Sequence, residues 1–149
     1  MQPIEMHPIG IVRTDATEID KDWRKTISQI HMDEAYLNGL TGLENWSHLV
    51  VIFVMHQATF DPNIHLTYRP GGREDIPETG VFAQRSHLSP NLIGMTTVKL
   101  QGIDANVLIV RGLDALDGTP VIDIKPHAPV YDGASDPLVP VWFLRLMQS

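Results

Sequence analysis

Between Gly80 and Gly94 the sequence reads GVFAQRSHLSPNLIG, with Arg85 standing between an apolar run and a loop rich in serine, proline and asparagine. The fixed guanidinium fork suits a carboxylate, a phosphate or an internal aspartate, and a structural ion pair uses it equally well. Ser86, Ser89 and Asn91 add hydroxyl and amide groups beside it, and Pro90 stiffens the loop, as turn residues also do. A second stretch with chemical content is Asp117-Gly118-Thr119-Pro120, which feeds a short strand ending in Lys125-Pro126-His127. Its carboxylate, hydroxyl and backbone can serve a ligand, or they can simply make a hairpin turn. Lys125 and His127 bring an ammonium and an imidazole together for anion or proton chemistry, although a solvated strand end carries the same residues.

Histidine offers less. His48 and His56 flank an apolar run at an even separation, so in an uninterrupted strand they share a face. Eight residues at about 3.3 Å each separate them by roughly 26 Å, too far to share an ion. The seven histidines form no close ligand pair, so no metal site is expected. His56-Gln57 reads as polar groups at a cavity mouth or as a satisfied rim histidine. Trp23-Arg24-Lys25 can stack on a base or lie on a barrel wall. A Gly-x-Ser-x-Gly nucleophile elbow, a Gly-x-x-x-x-Gly-Lys phosphate loop and a Gly-x-Gly-x-x-Gly fingerprint are all absent from the sequence.

The elements that must position these groups are mainly strands. Strand signals fall at Ile9–Val12, Thr26–Met32, Leu49–Met55, Ile64–Tyr68, Gly80–Ala83, Met95–Leu100, Val107–Val110 and Val121–Ile124. One short helix is expected around Met32–Leu37, with Asp33 as its N-cap. The reading is mainly β: a compact single-domain β-barrel over residues 1–149 with one short helix and long functional loops. Gly102–Asn106 reads as a hairpin connection, and Arg69–Gly80 as a long loop of the kind that is functional or disordered. Val139–Met147 is apolar and suggests a final strand, a docking segment or an oligomer contact.

At 149 residues one core can form without staples, and the absence of cysteine removes disulfides, thiolate metal sites and thiol catalysis together. The N-terminus lacks a basic-then-apolar leader pattern, and no apolar run approaches the roughly 20 residues that span a bilayer. A soluble cytoplasmic protein is expected. A net charge of -7 is opposite in sign to what tight phosphate-backbone binding needs, so any nucleic-acid contact must be local. Arg69, Arg73 and Arg85 lie in or beside the central loops and keep anion recognition open there.

The ordered motifs Ile9-Gly10-Ile-Val-Arg-Thr14, Gly39-Leu-x-Gly42-Leu-Glu-x-x-Ser47-His48-Leu and His56-Gln57 are followed by Arg69-Pro70 and Gly80-Val-Phe-Ala-x-Arg-Ser86. Pro90-Asn91-x-Ile-Gly94-Met and Leu113-Asp-x-Leu-Asp-Gly-Thr-Pro-Val-x-Asp-Ile-Lys-Pro126 complete the set. Together they resemble the TsaA-like (YaeB/TrmO-like) family of S-adenosylmethionine-dependent methyltransferases over nearly the whole chain. The resemblance implies a β-barrel unlike the Rossmann methyltransferases, a homodimer, and S-adenosyl-L-methionine held near the inter-strand loops. Carried over, it points to His56, Gln57, Arg85, Met95, Asp117, Gly118, Thr119 and Pro120 as cofactor contacts, with Trp23 and Arg24 near the family's early cofactor loop. By their position in the two loops, Asn91 is expected to orient the acceptor and His127 to take its proton.

Characterised members of that family methylate the exocyclic amine of a threonylcarbamoyl-adenosine beside the tRNA anticodon, and the longer bacterial forms carry a further C-terminal region. The family's approximate Arg-Ser-Pro-x-Arg-Pro-Asn-Pro-Ile-Gly here has His87, Ser89 and Leu92 in place of a proline, an arginine and a proline; its Lys-Pro-Tyr is Lys-Pro-His127. Three readings follow: a tRNA methyltransferase, a methyltransferase with a small-molecule or other acceptor, and a cofactor-binding module without turnover. The family pattern favours tRNA, whereas the charge and the altered loop argue against it.

Overall fold

Alternation of buried and exposed residues fixes the main sheet. Along His48–Val54 (β3) the side chains of Leu49, Val51 and Phe53 point inward and are buried, while His48, Val50, Ile52 and Val54 point outward. Ile27–Met32 (β2) does the same with Ser28, Ile30 and Met32. With Gly10–Arg13 (β1), Ile93–Asp104 (β6), Val107–Arg111 (β7) and Pro120–Pro126 (β8), these strands close an antiparallel barrel in the order β1-β2-β7-β6-β3-β8. Thr67–Tyr68 (β4) and Thr79–Gly80 (β5) form a separate two-stranded ribbon. The computed structural model describes residues 1–19 and 21–148.

Inside the barrel, Val12, Ile30, Leu49, Val51, Leu108, Val110 and Val121 have no exposed surface. Each such side chain contributes about 1.5–3 kcal/mol through burial. A one-residue slip of any strand would turn its inner set to the outside, so the register is strongly specified. Gly94 lets the wall close on the core, because a Cβ there would lie 2.3 Å from the ring of Phe53.

The chain divides into two compact units. Met1–His56 with Ile93–His127 make the barrel; Gln57–Leu92 with Ala128 onward make the second, which holds the ribbon and the helices Pro129–Asp132 (α1) and Val141–Gln148 (α2).

Several expected elements change form. Of Ile64–Tyr68 only Thr67–Tyr68 is strand, because Asp61 draws the preceding residues into a turn: its carbonyl accepts from Ile64 and His65, and its carboxylate from Asn63. Gly80–Ala83 leaves the ribbon after Gly80 and winds into a 3-10 turn over Val81–Ala83. The Met32–Leu37 helix is a 3-10 helix over Glu34–Leu40, and Asp33 caps it by accepting from the Ala35 N–H at 2.8 Å. The Gly102–Asn106 connection shrinks to Ala105 and Asn106, since a register shift between Leu100 and Gly102 lets β6 continue pairing through Asp104. The strand alternative for Val139–Met147 gives way to helix from Val141 on: Pro140 leads into α2, on which Trp142, Phe143 and Leu146 form the half-buried face.

Candidate functional site

The register places most of the barrel's chemically interesting residues at one rim. Val54 pairs with Ile93, Phe53 with Val121, Ile11 with Pro120, and Ile27 with Arg111. The ends of β1, β3 and β7 therefore meet the beginnings of β2, β6 and β8. His56 lies two residues beyond β3, Asp117–Thr119 immediately precede β8, and Trp23 and Arg24 form the 3-10 turn before β2. Because β3 ends at Val54, His56 stands outside the strand whose face it was expected to share with His48. Met95, opposite Ile52, lies on the outer wall of β6 near this rim and is 49% exposed.

His127 is at the other rim. Its N–H donates to the carbonyl of His48 at 2.9 Å, at the start of β3. The five steps of β8 from Val121 to Pro126 separate the rims by about 17 Å at 3.3 Å each. His127 is thus not brought together with His56 and Thr119 within the barrel.

The Asp117–Pro120 turn is tied to β1 and its extension. Gly118 N–H donates to the Val12 carbonyl at 2.9 Å, Val12 N–H to the Thr119 carbonyl at 2.9 Å, and Asp117 N–H to the Ala16 carbonyl at 3.4 Å. The Asp117 carboxylate accepts from Thr14 N–H at 3.1 Å and lies 3.7 Å from the Arg13 guanidinium. One function of this aspartate is therefore to fasten the loop after β1. Thr119 is buried, with its hydroxyl 3.4 Å from His56 Nδ1. Gly118 has φ +77°, favoured only for glycine, and a Cβ there would sit 3.8 Å from His56 Nε2. The His56 and Asp117–Pro120 motifs are thereby joined into one local structure.

Around Trp23, the Arg24 guanidinium stacks 4.6 Å from the indole centroid. The turn is pinned by Gly112 N–H donating to the Thr26 carbonyl at 2.9 Å; Gly112 itself has φ +83° and lies against the Arg24 carbonyl. Asp114 sits beside it, its carboxyl pushed above the usual range by burial and drawn partly back by the Arg24 charge. A cavity of about 350 Å³ opens here, lined by Thr14, Thr17, Trp23, Thr26, Ile27 and Leu113 among others. Arg13, Thr14 and Asp114 were not among the expected site residues, although the family motifs Ile9-Gly10-Ile-Val-Arg-Thr14 and Leu113-Asp-x-Leu-Asp contain them.

Gln57, Arg85 and Asn91 belong to the second unit. Arg85 is exposed, and both its neighbours are fixed. Gln84 Nε2 donates to the Tyr68 carbonyl at 3.0 Å and to the carbonyl and hydroxyl of Thr79 at 2.9 Å each. Ser86 Oγ meets the Tyr68 phenol and accepts from Leu88 N–H at 3.1 Å. Asn91 is exposed and precedes Leu92, which has φ +55° and donates its N–H to the Ser89 carbonyl at 3.0 Å. Of the central arginines, Arg69 donates to the Ile76 carbonyl at 2.7 Å, and Arg73 pairs with Asp75 at 2.7 Å. The Arg73 hydrogen bond holds the Asp75 carboxyl below its usual range. Among the described residues there is no group of three or more His, Cys, Asp or Glu placed to hold a metal, and no helix long and apolar enough to cross a membrane.

Comparison with known proteins matches residues 15–133 to the tRNA-methyltransferase O N-terminal domain. An S-adenosyl-L-methionine-binding protein of Archaeoglobus fulgidus is 38% identical over 132 residues, covering 85% of this chain and 91% of its own. The tRNA (adenine(37)-N6)-methyltransferase of Mus musculus is 41% identical over 98 residues, 64% of this chain and 22% of the mouse protein. The crystal structure of TrmO from Pseudomonas aeruginosa superposes with a TM-score of 0.73 at 31% identity, covering 92% of this chain and 62% of that one. This chain spans less than half the length of several curated relatives it matches. With the domain profile covering most of the sequence and the barrel shared with a solved relative, the chain belongs to the tRNA-methyltransferase O N-terminal domain family.

Proposed function

We propose that this protein is an S-adenosylmethionine-dependent methyltransferase acting on the exocyclic amine of an adenosine in tRNA, the threonylcarbamoyl-adenosine next to the anticodon. The observation that carries the reading is the meeting of His56 with Gly118 and Thr119, two motifs 63 residues apart joined through the 3.4 Å approach of Thr119 Oγ1 to His56 Nδ1. The name of the mouse relative supports an adenine N6 in tRNA as acceptor, the family resemblance adds the threonylcarbamoyl group, and the name of the archaeal relative supports the cofactor.

The residues fit such a cofactor. On the barrel, Gly118 leaves backbone uncovered where a side chain would project toward His56, and Trp23 offers an aromatic surface. In the second unit, the exposed Arg85 fork matches a carboxylate. When bound, S-adenosylmethionine supplies an activated methyl group, so the chain's task is chiefly alignment, which can contribute roughly 7–11 kcal/mol. We assign His56, Gln57, Met95 and Asp117–Pro120 to holding it, Arg85 to its carboxylate, and Trp23 and Arg24 to its edge. Asn91 orients the acceptor amine, and the proton leaves to solvent. His127, placed at the opposite rim of the barrel, is given no part in that step. The family resemblance also supports a homodimer, which light scattering tests.

The net charge of -7 favours a second reading in which the acceptor is a small molecule. Incubation with methyl-labelled S-adenosylmethionine and fractionated extract separates the two. Label in tRNA that is strongly reduced with Arg85→Ala is the expected result. Label in small solutes alone would replace tRNA with the second acceptor class, and no label with no calorimetric binding would overturn both.

A further inference from the structure

We infer that Gln84 and Tyr68 are positioning residues that preset Arg85, an assignment that rests on the cofactor role proposed above for that arginine. Tyr68 grips both neighbours of Arg85 through different groups: its carbonyl accepts from Gln84 Nε2 at 3.0 Å, and its phenol meets Ser86 Oγ. The Gln84 amide also spans to β5, donating to the carbonyl and hydroxyl of Thr79. The backbone before and after Arg85 is thus tied to both strands of the two-stranded ribbon. Ser86 Oγ, accepting from Leu88 N–H, carries the constraint one turn further.

The detail that marks this as more than packing is the use of the amide. All three Gln84 bonds are made by Nε2, while Oε1 is buried and has no hydrogen-bond partner among the described residues. An unsatisfied buried acceptor is unfavourable, and here it accompanies a donor end whose two N–H groups serve three acceptors, one N–H being shared. A lysine or arginine would bring a charge into a half-buried position, and a glutamate would set a carboxylate against two carbonyls. A loop whose backbone is already ordered on both sides of Arg85 loses less freedom on binding, so the bracket raises affinity without touching the ligand.

The test is a double-mutant cycle on the full chain with S-adenosylmethionine as the titrated probe. Gln84→Met, which keeps volume and removes the amide, is expected to weaken calorimetric binding about tenfold in the native background and less than about twofold in an Arg85→Ala background. The Arg85 Nε–H resonance should shift and exchange faster in Gln84→Met without added cofactor. Tyr68→Phe should repeat both effects more weakly, and it replaces Gln84→Met if that variant fails to fold. Equal losses in both backgrounds, or unchanged affinity together with an unchanged Arg85 resonance, would overturn the inference. Should the native protein bind no S-adenosylmethionine, the cofactor reading falls by itself; the resonance then decides, with a shift supporting the bracket and an unchanged signal ending it.

Discussion

The barrel and the second unit hold their chemical groups by different means. Thr119 and His56 stand at the ends of strands whose positions follow from many backbone hydrogen bonds and an apolar core, so no single side chain sets them. Arg85 follows a ribbon with two paired positions and owes its surroundings to the side chains of Gln84, Tyr68 and Ser86. A typical intramolecular hydrogen bond has a net value of about 0.5–1.5 kcal/mol. A ladder spreads that over a strand, whereas a bracket concentrates it in one amide. The barrel should therefore fail globally and the second unit locally.

The sharpest contrast is Gly94→Val in the barrel. Its Cβ would press on the Phe53 ring, which is 3% exposed and enclosed by the core. Overpacking of this kind costs about 3 kcal/mol, or roughly 6–12 °C in melting temperature for a chain of this size. A melt unchanged within a degree would show that the core yields far more easily than the ladder implies.

Next in size is Leu92. Its φ of +55° is strained for a leucine. Leu92→Gly should stabilise by no more than about 1 kcal/mol, because relief of the left-handed strain is partly offset by glycine's greater unfolded-state freedom. Leu92→Pro, which restores the residue of the family pattern, should do the reverse: proline locks φ near -65° and removes the N–H donated to Ser89. The comparison predicts that this damage appears as faster amide exchange over 86–92 with little change in the global melt. Loss of cooperative folding would erase the distinction between the two regions.

The barrel was legible because its strands carry period-two alternation, as in Thr26–Met32, or an unbroken apolar run, as in Leu49–Met55. Asp117–Pro120 announced itself by turn chemistry. Its attachment to Arg13 and Thr14 did not, since those partners lie 103 or more residues away and periodicity carries no information about pairing at that range. In the second unit, apolar character misled. Val81–Ala83 has strand residues, yet the chain leaves the ribbon where Gln84 captures Thr79. Val141–Met147 is too short an apolar run for periodicity to separate strand from helix. Tyr68 and Gln84 had no signal of their own, because a glutamine beside an arginine acquires its role only when the ribbon delivers a carbonyl to it.

The smallest expected effect opposes two aspartates, one from each unit. Asp114 in the barrel has its carboxyl raised by burial, against the pull of Arg24; Asp75 in the second unit has its carboxyl lowered by the hydrogen bond from Arg73. A raised carboxyl means that the folded chain holds its proton more tightly than the unfolded chain. The stability from protonated Asp114 is therefore complete below the ordinary carboxylate range and is lost as pH rises through the folded value. Asp114→Asn should leave the melting temperature unchanged in acid and raise it at neutral pH. Arg24→Ala should move the Asp114 titration further upward in a carbon-detected NMR series. Asp75 has the opposite sign, its contribution being present above the ordinary value and lost as acid protonates the folded form. Because Asp75 is solvent-screened, Asp75→Asn should lower the neutral-pH melt only slightly. If Asp114→Asn instead lowered stability at neutral pH, the carboxylate would be accepting a bond that outweighs its burial, and the rim beside Trp23 would be held by a side-chain bracket like the one around Arg85.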